Sequence, residues 1–80
     1  MGEMPTIAHI KGCRLYFVSF DGSEPMHAHV RKGTQSAKVW IEDMAFAWSQ
    51  FKEHENMEIL RILQENEGLI REKWNEHFGC

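Results

Sequence analysis

The sequence predicts an α+β domain: an antiparallel meander of four or five short strands over residues 5–49, packed on a C-terminal amphipathic helix over 52–78. Three observations predict it. Aromatic and β-branched runs fill the first half and are punctuated by glycine or polar pairs. The connections between those runs are too short for crossovers, so neighbouring strands must pair antiparallel. From Lys52 the apolar period changes from that of a strand to that of a helix.

The elements follow in order. Residues 6–10 form a short extended run that ends at Lys11-Gly12. Arg14-Leu15-Tyr16-Phe17-Val18-Ser19-Phe20 has the composition of a strand, and Asp21-Gly22-Ser23-Glu24 is the clearest hairpin signal in the chain. Residues 26–32 read as the next strand, ended by Gly33-Thr34. Ser36-Ala37-Lys38-Val39-Trp40-Ile41 follows, and Glu42-Asp43 forms a polar break. Met44, Phe46 and Trp48 alternate with alanines, a stripe most simply read as sheet core.

In the helical segment Ile59, Leu63, Ile70 and Trp74 fall on one stripe at about 100° per residue, flanked by Leu60 and Phe78. Asn66 interrupts that stripe and Gly68 follows. An unbroken helix over 52–78 would be roughly 40 Å long, more than so small a sheet can cover, so a bend or break near Asn66-Glu67-Gly68 is expected. Gly79 suits a left-handed C-cap. Glu53, Glu55, Glu58, Arg61 and Glu65 describe a solvated face, and His54 and His77 are expected in solvent among them.

Composition bounds the function. Eighty residues make a single domain, 1–80, and 42% apolar with 26% charged residues is an ordinary globular balance rather than a disordered one. The formal charge of −3 lacks the basic excess of most nucleic-acid binders, so nucleic acid is a disfavoured partner, though a local basic face can still bind it. Cys13 and Cys80 are too few for a disulfide framework or a zinc site of their own, and read as free thiols in a reducing compartment. The start of the chain carries no secretory pattern, and no apolar run approaches the ~20 residues of a membrane span. The expectation is a cytoplasmic protein with no membrane partner.

The informative segment is Glu24-Pro25-Met26-His27-Ala28-His29-Val30. Strand alternation sends Met26, Ala28 and Val30 to the core and gathers His27, His29 and Arg31 on the other face. The next strand adds Lys38 and Trp40 to that face, with Ala37, Val39 and Ile41 inward. The candidate functional face is therefore Glu24, His27, His29, Arg31, Lys38 and Trp40. Three readings compete for it. His27 and His29, at i and i+2, can both reach one divalent metal, with Asp21 or Glu24 as carboxylate ligands. The pair can also exchange protons near neutral pH while Arg31 or Lys38 holds an anion. The plainest reading is two half-exposed histidines of a two-sided sheet that make hydrogen bonds or a protein contact. No resident cofactor is expected, and a divalent metal is the one the residues would accommodate. His9 in the first strand reads as structural.

The motif residues carry a resemblance. Pro5-Thr6-Ile7, the segment Glu24-Pro25-Met26-His27-Ala28-His29-Val30, Ala37-Lys38-Val39-Trp40 and the closing Lys73-Trp74-Asn75-Glu76-His77-Phe78-Gly79 resemble the small prokaryotic domain-of-unknown-function family 4160. That family typically reads Pro-Thr-Ile near its start, Glu-Pro-Pro-His-X-His-Val in the middle and Trp-X-Glu-Tyr-Phe at its end. Met26 stands where the second proline is usual, and His77 replaces a more common residue. The resemblance implies a bacterial or archaeal cytoplasmic protein encoded beside another small protein, in the manner of toxin–antitoxin modules. It also makes Glu24 to Val30 the family's signature.

The expected function is an interaction module of a two-protein, toxin–antitoxin-like system, binding its partner through the His27/His29/Trp40 face. The alternative is a small metal- or histidine-dependent hydrolase, ribonuclease-like, in which Arg31 or Lys38 holds a phosphate. Whether the chain is an enzyme is left open, as is a homodimer.

Overall fold

The computed structural model describes residues 6–18 and 23–79. Five strands, β1 (Thr6–Ile10), β2 (Cys13–Tyr16), β3 (His27–Lys32), β4 (Gln35–Trp40) and β5 (Ala45–Ser49), form one antiparallel sheet in sequence order. Two helices follow, α1 (Glu53–Glu65) and α2 (Glu67–Phe78). The α+β meander is therefore the fold, with all five strands present and the helical segment broken where Asn66 interrupts the stripe.

Short turns set the registers. Lys11 and Gly12 join β1 to β2 with φ of 51° and 81°, the two positive values of a type I′ turn, and Ile10 pairs with Cys13 across it. Gly33-Thr34 closes the β3–β4 hairpin, pairing Lys32 with Gln35. A longer turn over residues 41–44 ends at Met44, whose φ is 51°, and it returns the chain so that Trp40 pairs with Ala45. The strand expected to run to Phe20 ends at Tyr16 in the sheet, and the Asp21-Gly22 signal lies outside the described residues.

One face of the sheet is closed by the helices. Leu15, Val30 and Ala37 lie side by side in register across β2, β3 and β4, all fully buried, and Val39 lies beside Ala28. They pack in one cluster with Ile59, Ile62 and Leu63 of α1 and Ile70 and Trp74 of α2. The expected stripe is thus the core stripe, with Ile62 added to it. Burial of this apolar set is the main stabilising term of the fold.

The helix ends have local causes. The Glu55 carboxylate accepts the Lys52 backbone N–H (3.0 Å), half of a capping box that starts α1. At the other end Asn66 N–H bonds the Ile62 and Leu63 carbonyls, and the Asn66 Nδ2 donates to Ile62 O at 2.8 Å. Asn66 is polar on an apolar stripe because its side-chain amide adds a second hydrogen bond to the Ile62 carbonyl at the helix end. Gly79 corrects the expected left-handed cap: its φ of −76° and ψ of 172° are extended. A glycine stands there for room, since a Cβ would lie 2.5 Å from the Asn75 carbonyl oxygen.

Candidate functional site

The other face of the sheet carries no helix among the described residues, and its composition is unlike the rest of the surface. Cross-strand register places Tyr16, His29, Lys38 and Trp48 in one row across β2, β3, β4 and β5. A second row pairs His27 with Trp40, and a third sets Arg14 beside Arg31 and Ser36. The sequence predicts His27, His29, Arg31, Lys38 and Trp40 on the outer face; Arg14, Tyr16 and Ser36 join them in the structure, and so does Trp48.

Trp48 is the correction that matters most. Strict alternation puts it with Phe46 against the helices. In the structure Phe46 pairs with Val39 on the core side, whereas Trp48 pairs with Lys38, so Ala47 is an extra residue in β5. That β-bulge moves every residue after it to the opposite face. Trp48 is consequently 46% exposed, while Phe46 and Met44 are only partly buried against the core.

His27 corrects the expectation in the other direction. It shares the parity of His29, yet its side chain is fully buried rather than half-exposed. Its ring meets Trp40, His29 and Trp74 at centroid distances of 5.4, 5.2 and 5.4 Å, all edge-on or nearly so. Trp74 comes from α2 and also packs edge-on against Phe17. The start of β3 therefore lies where the helical layer reaches round the end of the sheet. The His27 Nδ1–H donates to the Pro25 carbonyl at 2.8 Å, which turns Nε2 toward Glu24, whose Oε1 is 3.8 Å away.

Glu24 and Lys38 complete the cluster. The Lys38 ammonium donates to Glu24 Oε1 at 2.7 Å and lies 4.6 Å from the centre of the Trp40 ring. Its side chain is largely buried, so the carboxylate and the indole hold it in place. His29 is stacked on Tyr16 (5.2 Å, 21° between planes), and the Arg14 guanidinium covers the Tyr16 ring at 4.7 Å. Arg31 is exposed and its Nε donates to Gly33 O, at the far end of β3 from His27. Five of the six candidate residues thus touch one another, and Arg31 stands apart.

Several contributors were not singled out from the sequence. Tyr16 was legible, since it alternates along the chain with buried Leu15 and Phe17. Trp74 was read as core, which it is, but its contact with His27 depends on the path of α2. Asp21 lies outside the described residues, so its part as a carboxylate ligand has no geometry here. Among the described residues no three His, Cys, Asp or Glu side chains converge as a metal ion would need. His9, His54 and His77 are all exposed, and Cys13 is buried and free. No described helix is long and apolar enough to cross a membrane.

Residues 12–75 match the family described as a domain of unknown function (DUF4160). The chain belongs to that family. The match spans β2 through most of α2, and so contains the whole aromatic cluster from Tyr16 to Trp74. No curated protein and no solved structure matches the chain.

Proposed function

We propose that this protein is an interaction module that holds a small protein partner on its open sheet face, as one member of a two-protein, toxin–antitoxin-like system in the bacterial or archaeal cytoplasm. The observation that carries the reading is the Tyr16–His29–Lys38–Trp48 row, which ends in an indole nearly half exposed on a face without a helical cover among the described residues. Aromatic and arginine side chains on a flat, preorganised surface are the usual anchors of protein interfaces. Here they are fixed in advance: Lys38 by Glu24 and Trp40, and His29 by Tyr16. Little rotamer entropy is then lost on binding, which leaves more of the contact energy as affinity.

The hydrolytic alternative asks a substrate to meet His27, and that ring is shut between two indoles with no exposed surface. Burial of this kind suits a residue that orders Glu24 and Trp40 better than one that exchanges protons with a ligand.

Co-expression with the neighbouring small protein, followed by co-purification through a tag on one of them, tests the proposal. Trp48→Ala and Trp40→Ala are expected to weaken the complex by about thirtyfold each if they are anchors worth about 2 kcal/mol, with circular dichroism unchanged for Trp48→Ala. Failure of every co-expressed neighbour to bind would overturn it.

A further inference from the structure

The net charge of −3 conceals a segregation of charge. α1 and α2 carry seven glutamates against Arg61, Arg71 and Lys73. The five strands carry Arg14, Arg31, Lys32 and Lys38 and not one carboxylate. Arg14, Arg31 and Lys38 lie on the outer face, and Glu24 from the preceding turn offsets one of them. The helices are thus acidic and the strands basic, with Glu42 and Asp43 exposed at the β4–β5 turn.

We infer that this open face binds single-stranded nucleic acid, with a base stacked on Trp48 and phosphates held by Arg31 and Arg14. The inference goes beyond the protein-partner reading while using the same surface. Two features of the face converge on it. The first is charge: cations without strand carboxylates attract a polyanion whatever its sequence. The second is the Trp48 indole, nearly half exposed on that face, and an aromatic ring so placed on an open sheet stacks a base. An acidic peptide would satisfy Arg14 and Arg31 but offers Trp48 a flat π-face only where it carries an aromatic side chain. A nucleotide strand supplies a π-face and a phosphate at every step, and so uses both features.

The test is a titration of the full chain with a labelled oligouridine about ten nucleotides long, beside an oligoglutamate of equal charge, at about 50 and about 200 mM salt. Fluorescence anisotropy reports binding and tryptophan quenching reports stacking. Saturable binding of the oligouridine with quenching is expected. Trp48→Ala should weaken it by about 5- to 150-fold, the effect of removing one base stack. Arg31→Gln should lower the slope of log K against log salt by about 0.7, one phosphate contact on a single strand. Both positions are exposed, so neither change threatens the fold. No binding at the lower salt, binding indifferent to Trp48→Ala, or oligoglutamate binding equally well would each overturn the inference, the last pointing to an acidic protein segment instead. Partner co-purification that persists when oligouridine fails to bind would refute this inference alone and leave the interaction module standing.

Discussion

His27→Ala is predicted to be among the more costly changes on the candidate face, although sequence alternation marks it as a surface residue. The side chain has no exposed area and sits against Trp40, Trp74 and His29. Removing it loses the hydrogen bond to Pro25 O, worth about 1 kcal/mol. It also opens a cavity among three rings. Truncating Phe or Trp in a core costs about 3–5 kcal/mol, and the smaller, half-polar imidazole should fall below that. The sum is about 2–4 kcal/mol, a large share of the roughly 4–12 kcal/mol that a domain of this size possesses. Urea unfolding followed by circular dichroism measures it. With m near 1 kcal/mol/M the midpoint should fall by about 2–4 M. His29→Ala is the comparator: partly exposed and losing chiefly its stack on Tyr16, it should cost about 0.5–1.5 kcal/mol. A loss below about 0.5 kcal/mol for His27→Ala, as surface substitutions usually give, would refute the buried placement, and so would a loss equal to that of His29→Ala.

Other outcomes follow from other parts of the fold. Leu63→Ala, at a fully buried α1 position, should cost about 2–5 kcal/mol in the same urea assay. Lys11→Asn should stabilise the protein by about 0.5 kcal/mol, because asparagine tolerates the positive φ that lysine strains to hold beside Gly12; a melting temperature higher by about 2–4 °C would show it. The Cys13 thiol is held above its ordinary range, chiefly by burial, with Glu58 and Glu55 adding to the shift and Lys32 opposing it. The unfolded chain therefore sheds this proton first. Stability should be unaffected by this group below the unfolded thiol's pKa and should fall as pH rises above it, and a thiol reagent at pH 8 should react slowly until urea unfolds the chain.

How much of this was legible depends on whether the information is local. The β1–β2 and β3–β4 hairpins were readable because Gly12 and Gly33 mark two-residue turns, and a two-residue turn leaves one pairing for the strands it joins. The break at Asn66 was readable because a polar side chain on an apolar stripe needs a reason, and its second hydrogen bond to the Ile62 carbonyl is that reason. Trp48 was not, since Met44, Phe46 and Trp48 alternate with period two whether or not a bulge intervenes. The burial of His27 was not, because it depends on where a helix some 45 residues later crosses the end of the sheet. Gly79 was placed correctly but for the wrong reason: the constraint is the closeness of Asn75, not the sign of φ.

The bulge in β5 has a counterpart at the opposite rim. In β1 the register steps from Thr6 opposite Tyr16 to Ala8 opposite Leu15, so Ile7 is an extra residue there, as Ala47 is in β5. The ladders between β2 and β3 and between β3 and β4 run without interruption. β1 and β5 are the outermost strands of the sheet, and neither contains a lysine, an aspartate, a glutamate or a proline. Strands so plain would ordinarily be templates for another chain's backbone, with fibrils as the end point. A single surplus residue on each breaks the even spacing of N–H and C=O groups that such growth requires. The same insertion that delivers Trp48 to the open face thus keeps the sheet finite.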